Sequence, residues 1–351
     1  MGAAKPRPNL SDVARQAGVS SATVSRVLNQ TAPVSQGVRD RVMEAIESLG
    51  YHALRSSTLG SARRETIALL IPDILNPYFT EIARGVQDEA SVDGYFSLMF
   101  DTADDPERER DFLRILTNQA ICGIIACGSR IAIHDLIAIR GQTSAPMVVL
   151  NRCLQLPNTA CITVDLENAT YRATRHLLDL NHVRIAFLPG PSASDTSQAR
   201  LRGVETALAE ANLSMRPEWR PASFPDVDGG FQAMSALLAL PVEQRPTAII
   251  AHNDLMALGV LHAIRARHLR VPEDFSVIGI DNIHMAAHAN PPLTTLAPPK
   301  HRMGRMAMQT LRRMLAGHPP PGDGYALVEC PLIVRESTGP APGNNGRGRD
   351  A

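Results

Sequence analysis

From Thr66 onward the chain alternates short apolar runs with helical stretches, and this alternation restricts the fold more than any other feature. TIALLIPD is followed by a helix from about Pro77, then by YFSLMF, a helix reaching about Gln119, GIIACG, a further helix and PMVVL. A second series follows Asn168: RIAFLPG, a helix near 197–211, a strand near 219–223, TAIIAH, a helix near 253–267 and SVIGID. Continuous apolar strands separated by helices form parallel sheets covered on both faces. Two series predict two doubly wound lobes, with a ligand held in the cleft at the carboxyl ends of their strands. With 351 residues the chain is also longer than one hydrophobic core normally organises.

Residues 10–51 have a different pattern, that of three short helices. Ser11 is placed to cap the first, which carries Val13, Ala14 and Ala17 and stops at Gly18. The second begins from a serine cap in Val19-Ser20-Ser21 and sets Val24, Val27 and Leu28 on one face, with Ser21, Ala22, Ser25 and Arg26 opposite. The third, capped by Ser35, repeats Val38, Val42, Ile46 and Leu49 before Gly50. None of the three buries much alone, so they share one small core. As a helix-turn-helix, this unit lays its second helix in the major groove of DNA, where every base pair shows a distinguishable edge. Ser21 and Ala22 are small enough for close approach, Ala22 against a thymine methyl, and Arg26 reaches guanine O6 and N7 with two hydrogen bonds. Ser20, Thr23, Ser25 and Asn29 are short polar groups of the kind that anchor phosphates.

Charge distribution supports this placement. The whole chain is neutral, but residues 1–64 hold nine Lys and Arg against four acids. Cations concentrated at one end suit DNA, because neutralising phosphates releases condensed counterions.

The string LSDVARQAGVSSATVSRVLNQTAPVS followed by RVMEAIESLGY resembles the headpiece of the lactose-repressor (LacI) family of bacterial transcriptional regulators. By that resemblance Ser21 and Ala22 take the two variable base-choosing positions, and Arg26 is the base-reading arginine. The polar stretch HALRSSTLGSARRET matches the family hinge, which folds on the operator and pushes a leucine into a minor-groove base step. Leu59 is the matching leucine if one upstream residue is deleted. Ala53-Leu54 replaces the usual Pro-Asn pair, which makes Leu54 a rival wedge. The segments PDILNPYF, HNDLMALGVLHAI, RVPEDFSVIGIDNI, PPLTT and VRESTGP extend the resemblance to about residues 10–339. This region is also similar to type I periplasmic sugar-binding proteins, in which the chain crosses between lobes three times, returning about 296–325 to the first lobe.

Candidate effector contacts lie at strand ends. Asp281 closes SVIGID with a carboxylate able to accept two sugar hydroxyls, and Arg200 stands three residues before Gly203, where the family places an effector-binding arginine. Asn253 opens the helix after TAIIAH. Asn151 follows PMVVL where an aspartate is common, so the usual charge is absent. Tyr78 and Phe79 offer an apolar platform for a ring face. The bland alternatives are that Asp281 caps a turn, Asn253 caps its helix and the aromatic pair is core.

An enzyme reading finds no GxGxxG after the first strand, no P-loop, no GxSxG and no tight carboxylate pair. A stand-alone sugar-binding protein needs a signal peptide, and the N-terminus shows none. Either reading leaves residues 10–51 unexplained. The histidines lack metal-ligand spacing, and no cofactor is expected. The five cysteines lack CxxC spacing and read as reduced, buried thiols. No apolar run is long enough for a bilayer, so a cytoplasmic location is expected. The expected organisation is an all-α helix-turn-helix headpiece (1–52), a hinge (53–65), an α/β effector and dimerisation domain of two doubly wound parallel-sheet lobes (66–338) and a disordered tail (339–351). The expected partners are a near-palindromic double-stranded DNA operator, a sugar or sugar-acid effector, and further copies of the chain in a homodimer or tetramer.

Overall fold

The structure, a computed structural model, describes residues 10–29, 33–49, 65–117, 121–154, 156–191 and 194–343. The chain divides into two units, Met1–Arg63 and Arg64–Ala351.

The first unit is built from α1 (Leu10–Ala17), α2 (Ser21–Asn29) and α3 (Gln36–Leu49). Val13, Ala14, Ala17, Val24, Val27, Val42 and Ala45 are buried together, with Leu10, Val19, Val34, Ile46 and Leu49 packed around them. Helical spacing brings one stripe from each helix to this centre, as amphipathic helices require. Gly18, at φ +64°, makes the left-handed turn between α1 and α2. One detail differs from the sequence expectation: α1 already includes Leu10, so Ser11 lies in its first turn rather than at its cap.

The second unit begins with β1 (Thr66–Ile71), α4 (Pro77–Val92), β2 (Phe96–Asp101), α5 (Pro106–Thr117), β3 (Gly123–Cys127), α6 (Ile133–Arg140), β4 (Met147–Leu150) and β5 (Thr159–Val164). It continues with α7 (Leu166–Asp179), β6 (Ile185–Leu188), α8 (Asp195–Glu210), α9 (Val227–Ala239), β7 (Ala248–Ala251), α10 (Asp254–Ala266), β8 (Ser276–Ile280), α11 (His284–Ala287) and β9 (Thr294–Leu296). Last come α12 (Lys300–Leu315), β10 (Tyr325–Val328) and β11 (Leu332–Ile333). Among the described residues, one sheet has the order β10-β5-β4-β3-β1-β2 and is parallel throughout, while the other has the order β11-β9-β8-β7-β6. Only β11 in the second sheet runs antiparallel, against β9. β1, β3, β4, β6, β7 and β8 are almost wholly buried, which is why each reads as an unbroken apolar run.

The chain passes from the first sheet to the second after β5, returns with α12, and crosses again between β10 and β11. The return of α12 depends on two glycines. A Cβ on Gly304 would lie 2.1 Å from the Ile82 carbonyl oxygen, and one on Gly85 would lie 2.1 Å from that of His301, so α4 and α12 meet backbone to backbone.

The elements expected in the second unit differ from the structure at three places. No strand forms at 219–223: Pro217–Trp219 is a 3₁₀ turn that buries Trp219, whose indole N–H donates to the Gln244 carbonyl at 2.9 Å. The strand β5 was not anticipated, because Thr159, Cys161 and Thr163 break up its apolar run. The tail does not begin at residue 339: the Gly339 amide donates to Ser276 Oγ at 3.0 Å, and the Ala341 amide to the Leu180 carbonyl at 2.9 Å.

Candidate functional site

In the first unit, Ser20 caps α2. Its carbonyl accepts from the amides of Thr23 and Val24 at 2.9 and 3.1 Å, and its hydroxyl lies 2.9 Å from Thr23 Oγ1. With Val24 and Val27 turned into the core, the 3.6-residue period turns Ser21, Ala22 and Arg26 outward, and all three are exposed. Thr23 and Ser25 flank them, half-buried. Asn29 closes α2; its side chain, like Leu54 and Leu59 of the hinge, lies outside the described residues.

In the second unit, Phe79, Asn151, Arg200, Asn253 and Asp281 line one cleft, together with Tyr78, Arg130, Thr196 and His252. The cleft volume is about 60 Å³, so its walls nearly meet. Tyr78 and Phe79 stand in the first turn of α4, fixed by Pro77 and by Asn76 Oδ1, which accepts from the Tyr78 amide at 3.0 Å. Their rings meet edge to face with centroids 5.1 Å apart. Asn151 follows β4 at φ +63° and donates from Nδ2 to the Tyr78 hydroxyl at 2.8 Å. Its buried Oδ1 has no partner.

Arg200 and Asp281 are 7% and 4% exposed, with Nη2 and Oδ1 3.8 Å apart. Arg200 Nη1 also donates to His252 Nε2 at 2.9 Å, and its buried Nε is without a partner. Burial and the Arg200 charge hold the His252 imidazole well below its ordinary pKa, leaving it neutral and able to accept. Burial pushes the Asp281 carboxyl up to about 7, although Arg200 and Lys300 pull it down. Asp254, buried behind it, is pushed up to about 8 by burial and then by Asp281.

Asp281 has φ +112°, a conformation that a non-glycine residue holds only under constraint. The constraints are visible. The Asp281 amide donates to the Leu296 carbonyl at 2.9 Å, the Ile283 amide to Asp254 Oδ2 at 2.8 Å, and buried Lys300 Nζ to the carbonyls of both Asp281 and Asn282. Lys300 Nζ also lies 3.4 Å from Glu81 Oε1 on α4, tying the second-lobe turn to a first-lobe helix.

All five effector residues singled out in the sequence therefore come together, although Asn253 has both polar functions engaged. Its Oδ1 accepts from the Met256 amide at 2.9 Å, capping α10, and its Nδ2 donates to the Pro225 carbonyl at 2.8 Å. His252, Arg130, Asp254 and Lys300 were not picked out by sequence reasoning. His252 closes TAIIAH, but only the fold sets it against Arg200. Arg130 is oriented by Asp104, whose Oδ1 accepts from its Nε at 3.0 Å. Among the described residues no group of three or more His, Cys, Asp or Glu is placed to hold a metal, and no helix is long and apolar enough to cross a membrane.

Residues 9–53 match the model for bacterial regulatory proteins of the lacI family, and residues 174–338 that of a periplasmic binding protein-like domain. The chain is 37% identical over 305 residues to the HTH-type transcriptional repressor PurR of Aliivibrio fischeri strain MJ11, covering 86% of this chain and 90% of that protein. It is 36% identical over 339 residues to the repressor CytR of Escherichia coli K12, covering 95% and 97%. The lac repressor dimer bound to operator and the anti-inducer ONPF superposes with a TM-score of 0.72 at 28% identity, covering 95% of this chain and all of that one. A complex of the regulator CelR with cellobiose gives a TM-score of 0.70 at 30% identity, covering 94% and 100%. The chain belongs to the LacI family of bacterial regulatory proteins, transcriptional repressors rather than enzymes, in which a DNA-binding helix-turn-helix is joined to a domain that binds a small-molecule effector.

Proposed function

We propose that the effector is a sugar or sugar acid that Asp281 and Arg200 hold from the same wall of this cleft once its two sides separate, and that its binding sets affinity for a near-palindromic operator held by a homodimer in the cytoplasm. The observation that carries this reading is a pair of buried polar atoms without partners, Arg200 Nε and Asn151 Oδ1, on residues lining the same cleft as buried Asp281. Such atoms cost free energy unless a ligand or water satisfies them. A polyhydroxylated ring offers donors to Asp281 and to Asn151 Oδ1, while Arg200 serves a ring oxygen or a carboxylate. Phe79, with Tyr78, supplies the apolar face, and Asn253 shapes the wall. The solved complex of the related CelR with cellobiose supports the sugar class.

On the DNA side Ser21, Ala22 and Arg26 read bases, while Ser20, Thr23, Ser25 and Asn29 anchor phosphates. Leu59, or its rival Leu54, wedges the minor groove from the hinge at 53–65. A second copy of the chain is proposed to cover β2, an edge strand on which Phe96, Leu98 and Met99 are exposed beside Val92 and Ile115. Monomeric proteins seldom leave so apolar an edge open, and the related lac repressor is a dimer in its solved complex.

A thermal-shift screen of the full-length protein against aldoses, sugar acids and nucleosides tests the effector class. A ligand at about 100 times its Kd stabilises the native state by roughly 2.7 kcal/mol. A sugar or sugar acid is expected to raise the melting temperature of the wild type and not that of Asp281→Ala. A ligand that shifts both equally, or a hit confined to nucleosides, overturns this reading.

A further inference from the structure

The thiols of Cys153 and Cys161 have no part in the effector contacts described above, yet they lie together on the flank of the cleft. Their sulfurs are 2.7 Å apart, and each is a free cysteine. They differ in access: Cys161, on β5, is buried at 4% exposure, whereas Cys153 is exposed, contrary to the expectation that the chain's cysteines are buried. Cys153 lines a cavity of about 330 Å³ with Arg152, Asp165 and Asp195, which shares Asn151 and Thr196 with the effector cleft. Asn151, which lines the effector cleft, is two residues away.

We propose that Cys153 and Cys161 form a peroxide-sensitive dithiol, a modification site that closes to an intramolecular disulfide and pins the segment after β4 to β5. The step balances in two stages. The Cys153 thiolate attacks one oxygen of hydrogen peroxide, the O–O bond breaks, and hydroxide leaves as water once protonated, giving the sulfenic acid at Cys153. The Cys161 sulfur then attacks the Cys153 sulfur, the S–O bond breaks, and the thiol proton of Cys161 leaves with the hydroxyl as a second water. Two thiols are oxidised by two electrons in all, and one peroxide is reduced to two waters. The order of events follows from exposure: the accessible sulfur meets the oxidant and the buried one resolves it. Burial pushes the Cys161 thiol up to about 11, so at neutral pH it stays protonated and is not the sulfur that meets the oxidant first.

The sequence makes the test direct. Cleavage after Arg152 and Arg172 releases one peptide, residues 153–172, containing both cysteines and no other lysine or arginine inside it. Full-length protein is treated with hydrogen peroxide, alkylated without reductant, digested with trypsin and weighed, with dithiothreitol added to a parallel sample. The expected product is that peptide two hydrogens lighter and unalkylated, restored by dithiothreitol. In Cys161→Ser, Cys153 is expected instead to proceed to the sulfinic or sulfonic acid, because nothing resolves its sulfenic acid. In Cys153→Ser, Cys161 is expected to remain alkylatable after denaturation at the same peroxide dose. The proposal is overturned if wild-type Cys153 over-oxidises while Cys161 stays free, if Cys153 links two copies of the chain, or if both sulfurs stay reduced at a dose that oxidises free glutathione.

Discussion

Asp281 is the residue at which the chemistry of this protein concentrates. Burial raises its carboxyl to about 7 from an ordinary 3.8. Because the folded pKa is raised, the associated stability is complete below about pH 4 and is lost as pH rises through 7. For one proton the slope is at most about 1.4 kcal/mol per pH unit. Asp254, raised to about 8, follows the same sign and extends the loss by a further unit. The wild type is therefore expected to lose more stability between pH 5 and pH 8 than Asp281→Asn, an isostere of the protonated acid, and denaturant melts at both pH values measure this. Equal losses in the two proteins would mean that the Asp281 carboxyl is already ionised at pH 5. The same titration bears on the ligand, since the ionised carboxylate offers charged acceptors on both oxygens whereas protonation turns one of them into a donor, so effector affinity is expected to tighten on passing from pH 6 to pH 8.

Among the elements, α2 and α12 illustrate two ways in which a helix serves function. α2 presents Arg26 outward because Val24 and Val27 occupy the opposite face. Arg26→Ala is expected to cost roughly 1–3 kcal/mol on the operator and to relax preference at one base pair. Fluorescence anisotropy on operator and on random DNA separates this from phosphate anchoring, which would weaken both alike. α12 carries Lys300 to the Asp281 turn and then packs along α4, an arrangement that holds only while Gly304 and Gly85 have no side chains. Gly304→Val drives Cβ toward the Ile82 carbonyl, and overpacking of this kind costs about 1–3 kcal/mol. Chemical denaturation of Gly304→Val should show a midpoint below that of the wild type with an unchanged slope. Gly141, where the nearest atom to an added Cβ lies 3.5 Å away, provides the contrasting site where such crowding is absent.

For the whole molecule, a two-fold operator would require two headpieces, and the exposed edge strand β2 is the surface proposed to meet the second copy. Placing like charges at the centre of that edge should separate the copies. The double variant Phe96→Glu with Leu98→Glu is expected to elute as a monomer at concentrations where the wild type is a dimer, measured by light scattering. It should also lose at least tenfold in affinity for a full palindromic site, while its far-ultraviolet circular dichroism stays that of the wild type. A variant that remains dimeric would move the interface elsewhere on the second unit.

The headpiece was legible in the sequence because its information is local: three short stripes at helical spacing, a serine cap and a left-handed glycine lie within forty residues. The parallel lobes were legible because a strand buried on both faces cannot disguise its composition. What escaped was decided by partners distant along the chain. β5 has a mixed run that becomes a strand only between β4 and β10, and residues 219–223 stay irregular, with Trp219 buried and its indole N–H satisfied at the Gln244 carbonyl. Gly339 and Ala341 stay ordered because Ser276 and Leu180 supply their hydrogen bonds. In the cleft, sequence alone marked Phe79, Asn151, Arg200, Asn253 and Asp281 as polar or aromatic groups at strand and helix ends. Only the tertiary structure set Arg200 between Asp281 and His252 and left Asn151 Oδ1 without a partner, because burial and long-range contact, which no local pattern encodes, determine which polar groups a ligand must satisfy.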